Sequence, residues 1–261
     1  MPNFPKKLSQ KLEQRKNQNA LRTLSTSSEL VDFSSNDYLG LAKSDDITTY
    51  RESLVQKFNV NAHSATGSRL LTGNHPIHEA FEAFLANFHG VDAALVFNSG
   101  YDANLGFFSA IPQRGDIILY DEWVHASIRD GISMSKAQNY KFKHNDLTDL
   151  SDCIARIKKQ GKFQASTEIY VATESVFSMD GDTPNLLGLS AFCEKEGIHL
   201  VIDEAHASGI FGGGKGLVYE LGLSQKVFAT IVTFGKALGQ HGAAVLGCKT
   251  LIQYLINFAR S

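Results

Sequence analysis

The chain of 261 residues is long enough for one large α/β domain or two smaller ones. Hydrophobic residues make up 43% of it and charged residues 20%, which excludes a generally disordered protein. With 25 basic and 27 acidic side chains and a formal net charge of −2, the composition gives no electrostatic reason to expect nucleic acid or a membrane as a partner.

The amino-terminal sequence and the cysteines both predict a cytoplasmic protein. The opening sequence MPNFPKKLSQKLEQRKNQ is too polar for a signal peptide, and no window reaches the ~18 to 20 apolar residues of a membrane span. Cys153, Cys193 and Cys248 show neither disulfide nor metal-binding spacing. We therefore expect reduced, packed thiols.

The first third of the chain predicts helices joined by polar loops. Leu8, Leu12, Leu21 and Leu24 indicate a helix or a pair of helical turns with one apolar face. The sequence FSSNDYLG over 33–40 is typical of a turn-rich loop. Two further helices, over 47–58 and 78–88, flank a long polar loop over 63–76 that contains Arg69; loops of this length tend to be functional.

From Ala93 onward, short apolar strands alternate with helical patterns, which predicts an α/β fold with a mostly parallel, doubly wound sheet and helices on both faces. Ligands bind such sheets beyond the carboxyl ends of the strands. No repeat or linker interrupts the pattern, so we predict an amino-terminal arm over 1–45 and one large domain over 46–261. The predicted strands are 93–97, 116–120, 140–142, 168–173 and 199–202, and the helices after them include one ending at 110, one starting within DEWVHASIRDGISMS, 147–160 and 186–196.

Lys236 is the most unusual charge in the sequence. A short apolar run, Ile231 and Val232, ends at Thr233, and the lysine then follows Gly235 in apolar surroundings. Desolvation disfavours the ammonium form, and a neutral amine can attack a carbonyl to form an imine. A surface lysine in a strand-to-helix loop is the alternative, and this stretch alone does not separate the two.

Four other loops carry candidate ligand-binding side chains. Asp203 ends a strand and could pair with a protonated aromatic nitrogen, and His206 could bond a neighbouring ring oxygen; the alternatives are a turn cap and a backbone contact. The turn NSGYDAN presents a helix amino end that suits phosphate, although its serine is also an ordinary N-cap. His125 could stack on an aromatic ligand, and Ser178 lies in the loop after 168–173.

Two other interpretations are weaker. GIFGGGKG over 209–216 superficially fits a nucleotide-binding P-loop, but Gly216 stands where Ser or Thr is needed, and a flexible surface loop is favoured. Glu204 and His206 suggest a metal site, but no further ligand follows at zinc spacing, so we predict none. An imine-forming lysine, a carboxylate, a stacking histidine and a phosphate cradle together predict a pyridoxal phosphate site.

The sequence also resembles a known family. FSSNDYLGL, TESVFSMDGD, IDEAHASG and TFGKALGQHGAAVLG are similar to the signatures of the α-oxoamine synthases, which are fold-type I pyridoxal phosphate enzymes, and the likeness covers essentially the whole chain. It implies that Lys236 forms the imine and later acts as the Cα base. The other roles it implies are a ring-nitrogen partner (Asp203), a ring-hydroxyl partner (His206), a stacking ring (His125), phosphate ligands (Gly100, Tyr101 and Thr233), a residue near the cofactor (Ser178), one near the amino-acid carboxylate (Asn36), and one near the far carboxylate of the acyl chain (Arg22).

The resemblance implies a cytoplasmic acyltransferase that condenses an amino acid with an acyl thioester, carried on CoA or a carrier protein, and releases carbon dioxide. L-alanine and a pimeloyl thioester, as in biotin biosynthesis, are the expected substrates. A sibling that uses glycine or serine, and an inactive fragment or partner-binding subunit, remain alternatives. The family also implies a homodimer, and this chain is expected to correspond to its large domain without the C-terminal small domain.

Overall fold

A computed structural model describes residues 4–24, 30–61 and 64–260. It divides the chain into two compact units, Met1–Ser35 and Asn36–Ser261. The predicted division into 1–45 and 46–261 stays a prediction. Within the described residues, every helix is too short or too polar to cross a bilayer.

The first unit contains one described helix, α1 (Lys6–Asn17). All of its side chains are exposed, including those of Leu8 and Leu12. Leu21 and Leu24 follow the helix in irregular chain, so the predicted apolar helix covers only the first two leucines. The helix ends where Gln18 and Ala20 donate backbone hydrogen bonds back to its last turn.

The second unit contains the predicted helices and two that were not predicted. Ser44, His75, Ser99, His125, Asp146 and Asn185 each accept a backbone N–H at a helix amino end, so polar caps decide where these helices begin. Its helices are α2 (Asp45–Lys57), α3 (Pro76–His89), α4 (Gly100–Ala110), α5 (Ala126–Met134), α6 (Leu147–Lys159), α7 (Leu186–Glu196), the short α8 (Leu217–Glu220) and α9 (Lys249–Phe258), the last two of which were not predicted.

Seven described strands form one sheet in the order β1-β7-β6-β5-β4-β2-β3. All pairs from β6 to β3 across the sheet are parallel, and β7 is antiparallel to both of its neighbours. The predicted mostly parallel α/β sheet is therefore confirmed, with one antiparallel strand that the sequence analysis missed. The strands are β1 (Ala93–Phe97), β2 (Ile117–Asp121), β3 (Gln138–Phe142), β4 (Ile169–Glu174), β5 (His199–Asp203), β6 (Ala229–Thr233) and β7 (Ala243–Gly247).

Apolar side chains cover both faces of the sheet, as a doubly wound fold requires. Along β2, Ile118 joins a core with α4, α5 and α9, whereas Ile117 and Leu119 join a core with α6, α7 and α8 on the other face. A third cluster packs α3 against β6 and β7. Helices α4 and α5 lie very close together, since a Cβ added at Gly131 would be 2.8 Å from the Asn104 carbonyl oxygen.

The strand directions bring the carboxyl ends of six strands to one edge. β2 to β6 run parallel, and β1 has the same direction because both it and β6 are antiparallel to β7. Phe97 of β1 and Thr233 of β6 both pair with Ala243, so the start of α4 lies beside the end of β6. Glu174 and Asp203 are paired at the ends of β4 and β5.

The long loop predicted over 63–76 is confirmed over 64–75, where the structure has only turns and bends; His63 lies outside the described residues. Arg69 holds this loop to α3 through a two-point ion pair with Glu82, with Nη1–Oε1 and Nη2–Oε2 distances of 2.6 and 3.0 Å. The prediction of packed thiols is wrong for one cysteine. Cys153 and Cys193 are buried, but Cys248 is exposed at the amino end of α9.

Candidate functional site

A cavity of about 160 Å³ lies at this edge of the sheet, beside the carboxyl ends of β1, β2, β4, β5 and β6. Seven of the residues singled out from the sequence line it, namely Gly100, Tyr101, His125, Asp203, His206, Thr233 and Lys236. Four further lining residues were not identified beforehand, namely Asn104, Ser127, Glu174 and Ala205. The fold thus brings together loops that are far apart in the sequence.

Lys236 extends into this cavity from the loop after β6 and is half-buried. Burial lowers the pKa of its amine below the ordinary value, while the Asp203 and Glu174 carboxylates oppose that effect. The loop turns at Gly239, whose φ is +61° and whose added Cβ would lie 2.3 Å from the Ala42 backbone nitrogen. The glycine is therefore required by close contact with the segment after the NDYLG sequence.

His206 connects the lysine to that same segment. Its Nε2 is 2.7 Å from Lys236 Nζ, and its Nδ1 is 2.7 Å from the Tyr38 hydroxyl. The Tyr38 hydroxyl also contacts Asn36 Oδ1 at 3.1 Å. Burial, followed by the positive charge of Lys236, lowers the pKa of His206 to about 4. His206 is therefore neutral at neutral pH, so one ring nitrogen accepts a hydrogen bond from one neighbour while the other nitrogen donates a hydrogen bond to the other neighbour.

Asp203 is a buried carboxylate at the end of β5. Its Oδ1 accepts the Ala205 backbone N–H at 2.9 Å, and its Oδ2 accepts the Asn104 side-chain amide at 2.8 Å. The turn-capping role weighed for Asp203 is thus present, and the carboxylate also faces the cavity. Both functions use the same side chain.

Glu174 occupies the equivalent position on the neighbouring strand β4. It is buried, and its Oε1 accepts the His125 backbone N–H at 2.6 Å. Burial, followed by the negative charge of Asp203, raises the pKa of Glu174 to about 8. Glu174 was not predicted, and Ser178 was chosen from the same segment instead. A glutamate that ends a buried strand is nevertheless the same signal that identified Asp203.

His125 is the N-cap of α5, and its backbone N–H donates to Glu174 while its ring contacts Ser127. Its Nδ1 accepts the Ser127 backbone N–H at 3.2 Å and is 2.7 Å from the Ser127 hydroxyl. Burial lowers the pKa of the imidazole below its ordinary value. The capping role and the lining of the cavity are therefore combined in one residue, as they are for Asp203.

The amino end of α4 and the Thr233 side chain form one side of the cavity. Ser99 caps the helix by accepting the Asp102 N–H, which leaves the first turn directed at the cavity through Gly100 and Tyr101. A Cβ added at Gly100 would lie 3.5 Å from Thr233 Oγ1. The Tyr101 hydroxyl is held by the Asp130 carboxylate.

Three predicted residues do not line the cavity. Ser178 is exposed in the loop after β4. Asn36 is linked to the cavity through Tyr38 and His206. Arg22 is exposed and belongs to the amino-terminal unit, which the structure describes separately.

The alternative motifs have structural explanations of their own. The Lys215 ammonium of GIFGGGKG lies 4.0 Å from the centre of the Tyr219 ring and 5.3 Å from that of Phe88, so the lysine is used in cation–π contacts. Among the described residues, no group of three or more His, Cys, Asp or Glu side chains could hold a metal ion.

Comparisons with known proteins identify similar chains. A sequence model described as aminotransferase class I and II matches residues 28–261. The chain is 43% identical over 246 residues to the 8-amino-7-oxononanoate synthase of Emericella nidulans, covering 90% of this chain and 59% of that protein. The chain therefore spans less than two thirds of the length of this relative.

Two solved structures share the fold. A serine palmitoyltransferase from S. paucimobilis with a bound PLP-myriocin aldimine superposes with a TM-score of 0.82 and 26% identity, covering 98% of this chain and 66% of that one. An 8-amino-7-oxononanoate synthase from Francisella tularensis gives a TM-score of 0.70 and 28% identity, covering 90% and 63%. These likenesses extend over nearly all of this chain.

Proposed function

Because this chain belongs to the α-oxoamine synthases of the aminotransferase class I and II family, we propose that it binds pyridoxal phosphate and takes part in joining an amino acid to an acyl thioester with loss of carbon dioxide. The observation that carries the proposal is a half-buried amine, Lys236, and a buried carboxylate, Asp203, in one cavity. The relatives' names support the reaction class.

The groups in the cavity suit this cofactor. An amine with a lowered pKa suits the aldehyde, and a buried carboxylate suits a protonated ring nitrogen. The start of α4 and the Thr233 hydroxyl suit a phosphate, since Gly100 leaves open the space that a larger side chain would fill. A flat ring also suits the imidazoles of His125 and His206.

The side chains have separate tasks in the proposed reaction. Lys236 holds the cofactor through Nζ and later takes the Cα proton, which its lowered pKa favours. Asp203 holds positive charge at the ring nitrogen, and His206, paired with Tyr38, bonds the ring hydroxyl. When it is bound, pyridoxal phosphate supplies the electron sink for the Cα carbanion.

The remaining roles are proposals of the same kind. Ser178 acts near the cofactor, Asn36 near the amino-acid carboxylate, and Arg22 at the far carboxylate of the acyl chain. L-alanine and a pimeloyl thioester on CoA or a carrier protein are the substrates that the 8-amino-7-oxononanoate synthases suggest. The fold shared with serine palmitoyltransferase favours serine with a longer acyl chain as the second candidate. We also propose a cytoplasmic homodimer, as the family implies.

Covalent trapping tests the cofactor role directly. The protein is incubated with pyridoxal phosphate, reduced with borohydride and digested, and the modified lysine is identified by mass spectrometry. We expect modification at Lys236 and its loss in Lys236→Ala. Lys226→Ala is the matched control, because Lys226 is an exposed lysine outside the cavity. Modification spread over exposed lysines and unchanged in Lys236→Ala would disprove the proposal.

A further inference from the structure

We propose that Asn104 is a positioning residue that holds the Asp203 carboxylate in place and, through the Ser127 hydroxyl, keeps His125 as the neutral tautomer protonated at Nε2. The contribution of this arrangement to catalysis rests on the function proposed above, in which Asp203 and His125 face the cofactor. The hydrogen-bond arrangement itself does not depend on that function.

Asn104 lies on α4 and is only 2% exposed. Its amide nitrogen is 2.8 Å from Asp203 Oδ2 and 3.0 Å from Ser127 Oγ. An amide nitrogen has two hydrogens, so both are used. Rotating the amide by half a turn would point its oxygen at an acceptor-only carboxylate, and the contact with Asp203 therefore decides the orientation.

The orientation of Asn104 then determines what the Ser127 hydroxyl does. Ser127 is fully buried, and its oxygen accepts one of the Asn104 hydrogens. Its own single hydrogen is free to point at His125 Nδ1, which is 2.7 Å away. Because the Ser127 backbone N–H also points at this nitrogen from 3.2 Å, Nδ1 receives two donors and carries no proton of its own. The proton of the neutral ring is therefore on Nε2.

The arrangement also resists protonation of His125. A proton on Nδ1 would face the Ser127 backbone N–H, which points at the same nitrogen, and the Ser127 hydroxyl would have to turn its hydrogen away from the ring although Asn104, a donor, cannot accept it. The charged groups that act on the ring are Asp203, Lys236, Arg129 and Asp130, and His206 faces it across the cavity. Asp203 and Asp130 favour protonation, so the donors at Nδ1 oppose them.

The close packing of α4 on α5 fixes the geometry of this network. Gly131 of α5 is in contact with the Asn104 backbone, where a Cβ would come within 2.8 Å of the carbonyl oxygen. Ser127 is in the first turn of α5, two residues after His125. One amide thus links a side chain on β5 with the histidine that begins α5. The Asn104 Oδ1 atom has no partner among the described residues, so the amide is oriented by its donors alone.

The test is nitrogen NMR of the histidines in protein without added cofactor, titrated from about pH 8 to about pH 5. In the unaltered protein we expect His125 to be neutral with its proton on Nε2. Ser127→Ala removes one donor to Nδ1, so we expect roughly threefold to tenfold tighter proton binding by His125. Asn104→Ala frees the hydroxyl to turn its hydrogen away from the ring and accept a hydrogen bond from a protonated Nδ1, and we expect a larger increase than in Ser127→Ala. Asn139→Ala, at an exposed asparagine of β3, should leave the titration unchanged.

The double variant separates the route through Ser127 from a direct effect of Asp203. If Asn104 acts on His125 through the hydroxyl, removing Asn104 in the Ser127→Ala background should change proton binding by His125 much less than it does in the unaltered protein. A proton on Nδ1 in the unaltered protein, or an unchanged titration in Ser127→Ala, would overturn the proposal. Ser127→Ala removes a single atom, so it provides the result even where Asn104→Ala does not fold. Pyridoxal phosphate binding is measured separately, so a failure of the proposed function leaves the NMR result intact.

Discussion

Two carboxylates end neighbouring strands and face the same cavity. Asp203 was recognised from its position after a buried strand, and Glu174 has the same position on β4. The sequence alone therefore contained enough information to find Glu174. It did not contain enough to find Tyr38, which meets His206 across 168 residues of chain, or Asn104, which meets Asp203 across 99. Such contacts depend on how the loops and helices are packed, and no local spacing indicates them.

Glu174→Gln should remove a pH-dependent loss of stability. The folded carboxyl keeps its proton up to about pH 8, whereas its ordinary pKa is 4.5, so the folded state binds more protons in between. Stability therefore falls as pH rises through this range. At high pH we expect the free energy of unfolding of the variant to exceed that of the unaltered protein by at least about 1.4 kcal/mol. At low pH we expect little difference between the two.

Urea unfolding at a series of pH values measures this difference. Glutamine keeps an oxygen for the His125 N–H, so the hydrogen bond is retained and the charge alone is removed. Asp152→Asn, at an exposed carboxylate of α6 outside the cavity lining, is the control. If Glu174→Gln and the unaltered protein had equal free energies of unfolding at every pH, ionisation of Glu174 would not destabilise the fold and the prediction would be wrong.

At the scale of elements, the loops after β2, β3 and β4 are joined by one histidine. His144 Nδ1 is 2.9 Å from Asp121 Oδ1, and its Nε2 is 2.8 Å from Asp182 Oδ2. Its ring stacks on Trp123, with the ring centres 3.8 Å apart. Two of these loops carry His125 and Ser178, so His144 helps to hold the surroundings of the cavity in place.

We expect the stabilisation by His144 to be lost as pH rises. Burial disfavours the charged ring, but hydrogen bonds with Asp121 and Asp182 outweigh it and raise the pKa above the ordinary value of 6.5. The contribution is thus complete below pH 6.5 and disappears above the folded pKa. His144→Gln should cost about 1 kcal/mol more at low pH than at high pH. Glu122 also lies beside the ring's residue, where it accepts the His144 backbone N–H and pairs with Lys141.

Chemical unfolding of His144→Gln at two pH values checks this prediction, with His241→Gln as the control at an exposed histidine. A cost that is the same at both pH values would mean that His144 acts through packing on Trp123 and not through its charge. A cost that grows with pH would contradict the direction of the pKa shift.

The elements themselves were largely predictable, because apolar runs and polar caps are local signals. The parallel strands and the helices from α2 to α7 follow from them. β7 was missed because AAVLG was included in the lysine signature, and no element was predicted where the short α8 and α9 lie. Small residues give little strand signal, and the antiparallel direction of β7 comes from its pairing with β1 and β6, which the sequence does not reveal.

At the scale of the whole molecule, the family was predictable from the signature sequences themselves. The cavity was predictable because these sequences include the loops at one edge of the predicted sheet. Arg22 and the cavity belong to different units, so the role expected for Arg22 stays a prediction. The chain spans 59% of its Emericella relative, so turnover is a property to be measured on this chain.

Product analysis tests the reaction on the whole chain. The protein with pyridoxal phosphate is given alanine, glycine or serine together with pimeloyl-CoA or palmitoyl-CoA, and the amino ketones are identified by mass spectrometry. We expect the alanine–pimeloyl product, with at least about a hundredfold loss in Lys236→Ala. The serine–palmitoyl product would instead identify the sibling activity. Cofactor bound at Lys236 without any product would show that this chain binds cofactor but does not complete the reaction.

The pairing of β1 with β7 joins the first strand of the sheet in chain order to the last. During synthesis on the ribosome, β1 therefore waits without its partner until almost the entire unit has been made. Such late, long-range pairing slows folding and leaves an unpaired strand edge exposed to other chains. The start of α4 meets Thr233 only when that edge closes, so we expect the side of the cavity proposed for phosphate to form late in folding.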